Sequence, residues 1–328
     1  MISTPIATDT ATISSVPPPE AIEFKHPKNY RVEYIATVYN KGYPLNKLQV
    51  YMPRPVEWDA QKNVSVEEVS PSASKSGMDP VFGNGVYYWQ ILDKPKPGDS
   101  LQFKIVFTFK AYETSISLDP GKILPYNQSD PLYKLYTQPE RFIESSDPQI
   151  VALADQIAGS ETNPYLLTHK FYNYVITTAH YRLVGKGLLG AKALLTNGEG
   201  ECGDYSSLFI ALSRAKGIPA RPVVGYWAIS GLDQTHVWAE FYIENLGWIP
   251  VDPTIGQAQP GKRDYYFGNM DNQRVILNKG FNIQLDPPAP DNYSAALLQV
   301  PLWWFWGSDG DGSTISLDRT SWKVTPLP

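Results

Sequence analysis

The sequence predicts an α+β protein, with an all-β sandwich in front and helices followed by an antiparallel sheet behind it. Three observations predict this. Leu101, Phe103, Ile105, Phe107 and Phe109 alternate with polar neighbours, and so do Val32, Tyr34, Ala36 and Val38. That period of two is the pattern of half-buried strands. Helical spacing begins only after the Pro-rich passage 119–139. Finally, 21 Tyr and 9 Trp, together with 29 Pro and 24 Gly, favour sheets and turns over a helical bundle.

Residues 1–20 are rich in Ser, Thr, Pro and Ala and read as a disordered leader. They lack the basic and apolar stretches of a signal peptide. Two readings stay open for them: a tether that follows an export segment, or an ordinary frayed terminus. The first implies an exported or cell-surface protein, the second a cytoplasmic one. Residues 21–118 form the predicted sandwich, with further strands near Leu48–Met52 and Val86–Leu92 and a turn at Pro95–Gly98. Residues 119–255 form the second domain. A helix starts behind Ser146-Asp147-Pro148 and carries Ile150, Leu153, Ala154 and Ile157 on one stripe. Another starts near Pro164, with Leu167, Phe171, Tyr174 and Val175 on one face. A third starts at Cys202, repeats Tyr205, Phe209 and Leu212, and stops at Gly217. Strands follow at Arg221–Ala228, His236–Ile243 and Trp248–Val251. Residues 256–328 read as an extension packing on this second domain.

Composition excludes several functions. A net charge of −5 without a long basic run argues against nucleic acid as a partner. No apolar run approaches the ~18 residues of a membrane-spanning helix. A single cysteine rules out an internal disulfide and a multi-thiolate metal site. The four histidines are scattered, so neither a metal nor another cofactor is expected.

That cysteine, Cys202, is either a buried filler or a reactive thiol. It follows a loop with two glycines, Gly198 and Gly200, and opens a helix. A helix N-terminus stabilises a thiolate and offers backbone donors to an oxyanion. Glu199, Glu201 and Asp204 oppose the thiolate, so a cationic partner is needed, and histidine is the natural one. His236 begins a strand in which His236, Trp238, Glu240 and Tyr242 share a face. The chain turns at Glu244–Gly247 and returns to Asp252. Asp252 can lie beside His236 if the loop is of odd length or Gly247 forms a bulge. Its carboxylate would then fix the imidazole tautomer. The blander reading of Asp252 is a turn cap before Pro253.

The runs Gly200-Glu201-Cys202-Gly203-Asp204-Tyr205, Gly217-Ile218-Pro219-Ala220-Arg221, His236-Val237-Trp238-Ala239-Glu240 and Gly247-Trp248-Ile249-Pro250-Val251-Asp252-Pro253-Thr254 together resemble the transglutaminase-like superfamily. The resemblance covers roughly residues 120–255, and the segment Asp264–Asn269 looks like the continuation seen in bacterial members. It implies a papain-like fold preceded by an immunoglobulin-like sandwich. It makes Cys202 the nucleophile, His236 the base and Asp252 the orienting acid. Tyr181 is the candidate second oxyanion donor, with a packing role as the alternative. Gly203, Asp204 and Trp238 are supporting candidates. Asp204 is expected to serve the first helical turn, and Trp238 either screens the acyl-enzyme or packs.

The expected activity is acyl transfer at an amide carbonyl of a protein or peptide, with water as the acceptor. Protein cross-linking by transamidation and a non-catalytic scaffold are the alternatives. Two features stand apart. Trp303-Trp304-Phe305-Trp306 reads as a cleft wall or as packing, and Asp309-Gly310-Asp311-Gly312 as a solvated turn that fails the calcium-loop pattern.

Overall fold

Val32, Tyr34, Ala36 and Val38 are all buried along strand β1, Ala21–Asn40, as their alternation requires. The computed structural model describes residues 21–42, 45–92, 96–183, 185, 187–307 and 315–328. The leader 1–20 and the Asp309–Gly312 turn lie outside the described residues. After β1 come β2 (Leu45–Arg54), β3 (Gln61–Ser70), β4 (Lys75–Met78), β5 (Gly85–Ile91) and β6 (Ser100–Ser117). Phe103, Ile105, Phe107 and Phe109 of β6 face inward with them.

The second domain begins with α1 (Pro131–Thr137), α2 (Pro148–Ala158) and α3 (Pro164–Thr178). Each starts with a proline at its first position behind an Asp or Asn. Asp147 accepts from Gln149 N at 2.9 Å, a cap worth about 1 kcal/mol. Then come β7 (His180–Tyr181), α4 (Ala191–Asn197), β8 (Glu199–Gly200) and α5 (Cys202–Ala215). Strands β9 (Ala220–Trp227), β10 (Thr235–Ile243) and β11 (Gly247–Val251), helix α6 (Pro253–Ala258) and strand β12 (Arg274–Lys279) complete it. The sheet order is β11-β10-β9-β12, all antiparallel. Val237, Ala239, Phe241 and Ile243 of β10 pack against α5 in one apolar core. Sequence spacing gave α5 one apolar stripe, but the helix is buried all round from Gly203 to Arg214. The cause is its central place, enclosed by α2, α3 and α4 and by the sheet. Most of its polar side chains are bonded, Ser207 Oγ being the exception: Ser213 Oγ donates to Phe209 O, and Arg214 to Ala220 O, Gln138 O and Glu140.

The C-terminal segment corrects the expected domain plan. Strands β13 (Ile283–Gln284) and β14 (Ser294–Ala295) form a small ribbon. Strands β15 (Leu302–Gly307) and β16 (Ile315–Leu327) then return to the sandwich instead of covering the α+β domain. They complete its two sheets, β16-β1-β6-β3 and β15-β2-β5-β4. The reason lies in the strands themselves: β1 and β2 would otherwise present open edges, and β15 and β16 satisfy them with register Asn29↔Leu327 and Leu302↔Tyr51. The Trp303–Trp306 run is thereby placed in β15. Trp303 and Phe305 pack on the sandwich core and Trp304 on a neighbouring cluster. Trp322 of β16 also stacks on Tyr226 of β9, with centroids 4.1 Å apart, which fuses the sandwich core to the α+β sheet.

Candidate active site

Three elements converge on one point. Helix α5 begins at Cys202, which is half-buried, whereas Gly203 to Arg214 behind it are buried. The entry is fixed by a reciprocal cap. Glu201 accepts from the backbone of Asp204, and Asp204 Oδ2 accepts from Glu201 N at 3.0 Å. The other oxygen of Asp204 accepts from Leu189 N and Gly190 N, both at 2.8 Å. Asp204 is thus a buried bracket for the helix start and the preceding loop. Gly203 packs closely: a Cβ there would sit 2.7 Å from Leu188 Cδ1, so the Leu188 side chain would have to shift. Glu199, the other carboxylate that threatened the thiolate, is paired with Arg182 at 2.8 Å.

Strand β10 brings His236. The register Ala239↔Val251 and Ile243↔Gly247 leaves a three-residue loop, 244–246, with Gly247 at φ +114°. The loop is odd and the ladder runs without a shift, so Asp252 falls on the face of His236 and Trp238. His236 Nε2 and Asp252 Oδ2 are 2.8 Å apart, and both residues are buried. Nδ1 is left as the ring nitrogen free to exchange a proton with the thiol. Next to His236, Ser206 Oγ of α5 donates to Val237 O at 3.3 Å and to Cys202 O at 2.9 Å, which ties the helix start to the strand.

Sequence reasoning missed three residues here. Arg274, at the start of β12, donates from Nη1 to Asp252 Oδ2 at 2.7 Å and pairs with Asp271 at 3.0 Å. Its guanidinium also lies 4.6 Å from the Trp227 ring centre and 5.0 Å from that of Trp238. Trp227 stacks on the His236 ring with centroids 4.7 Å apart, closer than Trp238 at 6.0 Å. Gln299 donates to His236 O at 2.8 Å and to Gly225 O at 2.9 Å, so the C-terminal segment pins the histidine backbone. Arg274 and Gln299 had no local signal, because they are brought in over long sequence separations, and Trp227 comes from the neighbouring strand β9.

Trp238 itself is buried and lines a cavity of about 40 Å³ against the sandwich, with Gln61 and Thr114. Its indole therefore faces inward. Trp227 is the one that reaches the surface groove. Tyr181 is 47% exposed, its strand β7 pairs with Gly200 of β8, and its ring lies 6.2 Å from that of Tyr205. Burial, then the charges of Cys202 and Glu201, push its hydroxyl up to about 12, so it keeps its proton and can donate.

Burial alone would push the His236 imidazole down, but the charge and hydrogen bond of Asp252, with Cys202 adding to them, push it up to about 9. Burial likewise opposes the Asp252 carboxylate, yet the cations His236 and Arg274 hold it well below the usual range. The histidine shift has a consequence for stability. A base held above its ordinary value of 6.5 stabilises the fold fully below that pH and loses the effect as pH rises through about 9. Urea unfolding between pH 6 and 10 should therefore show stability falling across that window. The same decline persisting undiminished in His236→Gln would assign it elsewhere.

The comparisons agree with this architecture. The sequence model of the Transglutaminase-like superfamily matches residues 151–253. A Haemophilus influenzae protein is 29% identical over 181 residues, covering 43% of this chain and 49% of the relative. A Pseudomonas aeruginosa protein named protein-glutamine gamma-glutamyltransferase is 27% identical over 126 residues, covering 34% of this chain and 19% of that one. The chain thus spans about half or less of these relatives' lengths. A Cytophaga hutchinsonii structure provisionally assigned as a cysteine protease aligns over 94% of this chain and 93% of its own, with a TM-score of 0.65 and 17% identity. That likeness is one of fold.

Proposed function

From a chain whose residues 151–253 belong to the transglutaminase-like superfamily, we propose an enzyme that transfers an acyl group from an amide through Cys202. One observation carries the reading: a half-buried thiol at the start of α5 lies beside a buried histidine whose far nitrogen is held by Asp252. Cys202 Sγ attacks the carbonyl carbon while His236 Nδ1 takes the thiol proton. The oxyanion is received by the unpaired N–H groups at the start of α5, with the Tyr181 hydroxyl as a second donor. His236 returns the proton to the leaving nitrogen, the C–N bond breaks and a thioester forms. Water, deprotonated by His236, then attacks the thioester, the C–S bond breaks and the thiol is restored. Asp252 keeps the proton on Nε2 and supports the imidazolium throughout. No metal or cofactor enters these steps.

Transamidation uses the same centre with an amine in place of water, and one observation favours it. The Trp227 indole lies flat against His236, where it would limit water reaching the thioester. We still assign hydrolysis, because the adjoining groove is open and polar. Partition decides between the two. With a glutamine-containing peptide and millimolar primary amine, free acid should exceed amine adduct, and adduct as the main product would reverse the assignment.

A further inference from the structure

A groove of about 830 Å³ opens directly beside this centre. Trp227 lines it and stacks on His236, while Ile255 lines it and donates its N–H to Asp252 Oδ1 at 3.0 Å. Its size lies near the upper end of small-molecule sites, roughly 300–1,000 Å³, and suits several residues of extended chain. Another groove, of about 390 Å³, is lined by Lys216, Gly217 and Ile218. It sits at the far end of α5, about 20 Å along the helix from Cys202, and so cannot serve the same reaction.

The charges lining the large groove are formally balanced: Lys28, Lys262 and Arg263 against Glu113, Asp264 and Asp271. Two of the three anions have partners. Asp271 is bound by Arg274 and Glu113 holds the His26 ring at 2.8 Å, which leaves Asp264 as the one lining anion with no ion pair among the described residues. The cations have none. Among the described residues no carboxylate lies within ion-pair distance of Lys28, Lys262 or Arg263. Three unpaired cations against one unpaired anion, in one concavity of a chain with net charge −5, are a local reversal of sign.

We infer that this groove selects the acyl donor, and that the donor is a polypeptide segment with acidic side chains next to the reacting amide. The inference rests on the amide-transfer reading above. Trp227 and Ile255 supply apolar contact beside the reacting carbon, while Lys262 and Arg263, just beyond α6, and Lys28, on the sandwich side, meet the acidic flank. The sandwich thereby contributes to substrate choice.

The test is direct binding to the Cys202→Ala protein, which separates recognition from turnover. Three fluorescent peptides of equal length carry a central glutamine with acidic, neutral or basic flanks, and anisotropy gives Kd. The acidic peptide should bind about tenfold tighter than the neutral one, with the basic one weakest, and the difference should shrink between 0.05 and 0.5 M salt, as exposed pairs require. K262E combined with R263E should invert the order. Equal binding of acidic and basic peptides, no binding of any, or an order that survives charge reversal would overturn the assignment. Acidic peptides that bind but are never processed by the wild-type protein would uphold the groove and remove the chemistry. Peptides that are all processed alike would do the reverse.

Discussion

Cys202→Ala and His236→Ala should each lower kcat/KM on a working amide substrate by roughly 10⁴-fold or more, and the double variant should lose little beyond either single one. The reason is that the thiol and the imidazole act in one proton transfer, so removing either leaves nothing for the other to do. Both variants should fold. Cys202 is half-buried, its carbonyl accepts from Ser206 and its thiol meets His236, so the loss of one sulfur leaves a small defect. His236→Ala is harsher, because it removes a ring stacked on Trp227 and takes one cation from a fully buried carboxylate, but Arg274 still holds Asp252. Asp252→Asn should keep more activity than either, since the acid orients the base and makes no bond to substrate. An Asp252→Asn variant with full kcat/KM and an unshifted pH profile would remove Asp252 from the mechanism.

Arg274→Gln should be the most destabilising single change near the site, by about 3–5 kcal/mol, the cost of stranding one member of a buried ion pair. Arg274 is the cation shared by Asp252 and Asp271, and its own side chain is buried. The effect should have a pH signature that a packing defect lacks. With the guanidinium gone, the imidazolium of His236 loses a nearby like charge, so its titration should move further above about 9. The Asp252 carboxylate should also move up, toward its ordinary value, because it loses one of the two cations that hold it down. A depressed acid stabilises above its unfolded value and loses that contribution only as pH falls through its folded value. With one cationic partner instead of two, acid unfolding should begin at a higher pH than in the wild type. Arg274→Lys keeps the charge and should restore the His236 titration better than it restores stability, because an ammonium cannot stack flat on Trp227 and Trp238. Stability that falls in Arg274→Gln with the His236 titration unmoved would mean that Arg274 only fills space.

Much of the site was legible because its signals are local. Cys202 behind a glycine loop and ahead of an apolar helical repeat announces its own helix start. His236 and Asp252 sit on one hairpin, so parity and an odd loop are enough to put them on one face, and the Glu244–Leu246 loop meets that condition. The caps at Asp147 and Asn163 were readable for the same reason, although only Asp147 was singled out. What the sequence hid depends on pairing between distant segments. Arg274 meets Asp252 only because β12 lies beside β9, where Arg274 is opposite Trp227. Gln299 reaches His236 by the same kind of long-range placement. The C-terminal strands look like an aromatic appendage until β1 and β2 are seen to need partners about 250 to 300 residues away. Trp227 and Trp238 show the difference sharply. Trp238 shares parity with His236 and so drew attention, whereas Trp227, on the neighbouring strand, makes the closer stack.

The central claim is that Cys202 forms a covalent acyl intermediate with His236 as its proton acceptor. Intact-mass spectrometry of the full chain, quenched in acid after brief mixing with a peptide amide or a slowly released ester analogue, tests it most directly. The account predicts a mass increase equal to the acyl portion, mapped to Cys202 after digestion, released by hydroxylamine as a thioester should be, and nearly absent in His236→Ala. An adduct on any other residue, or one that forms on Cys202 equally fast without His236, would contradict it.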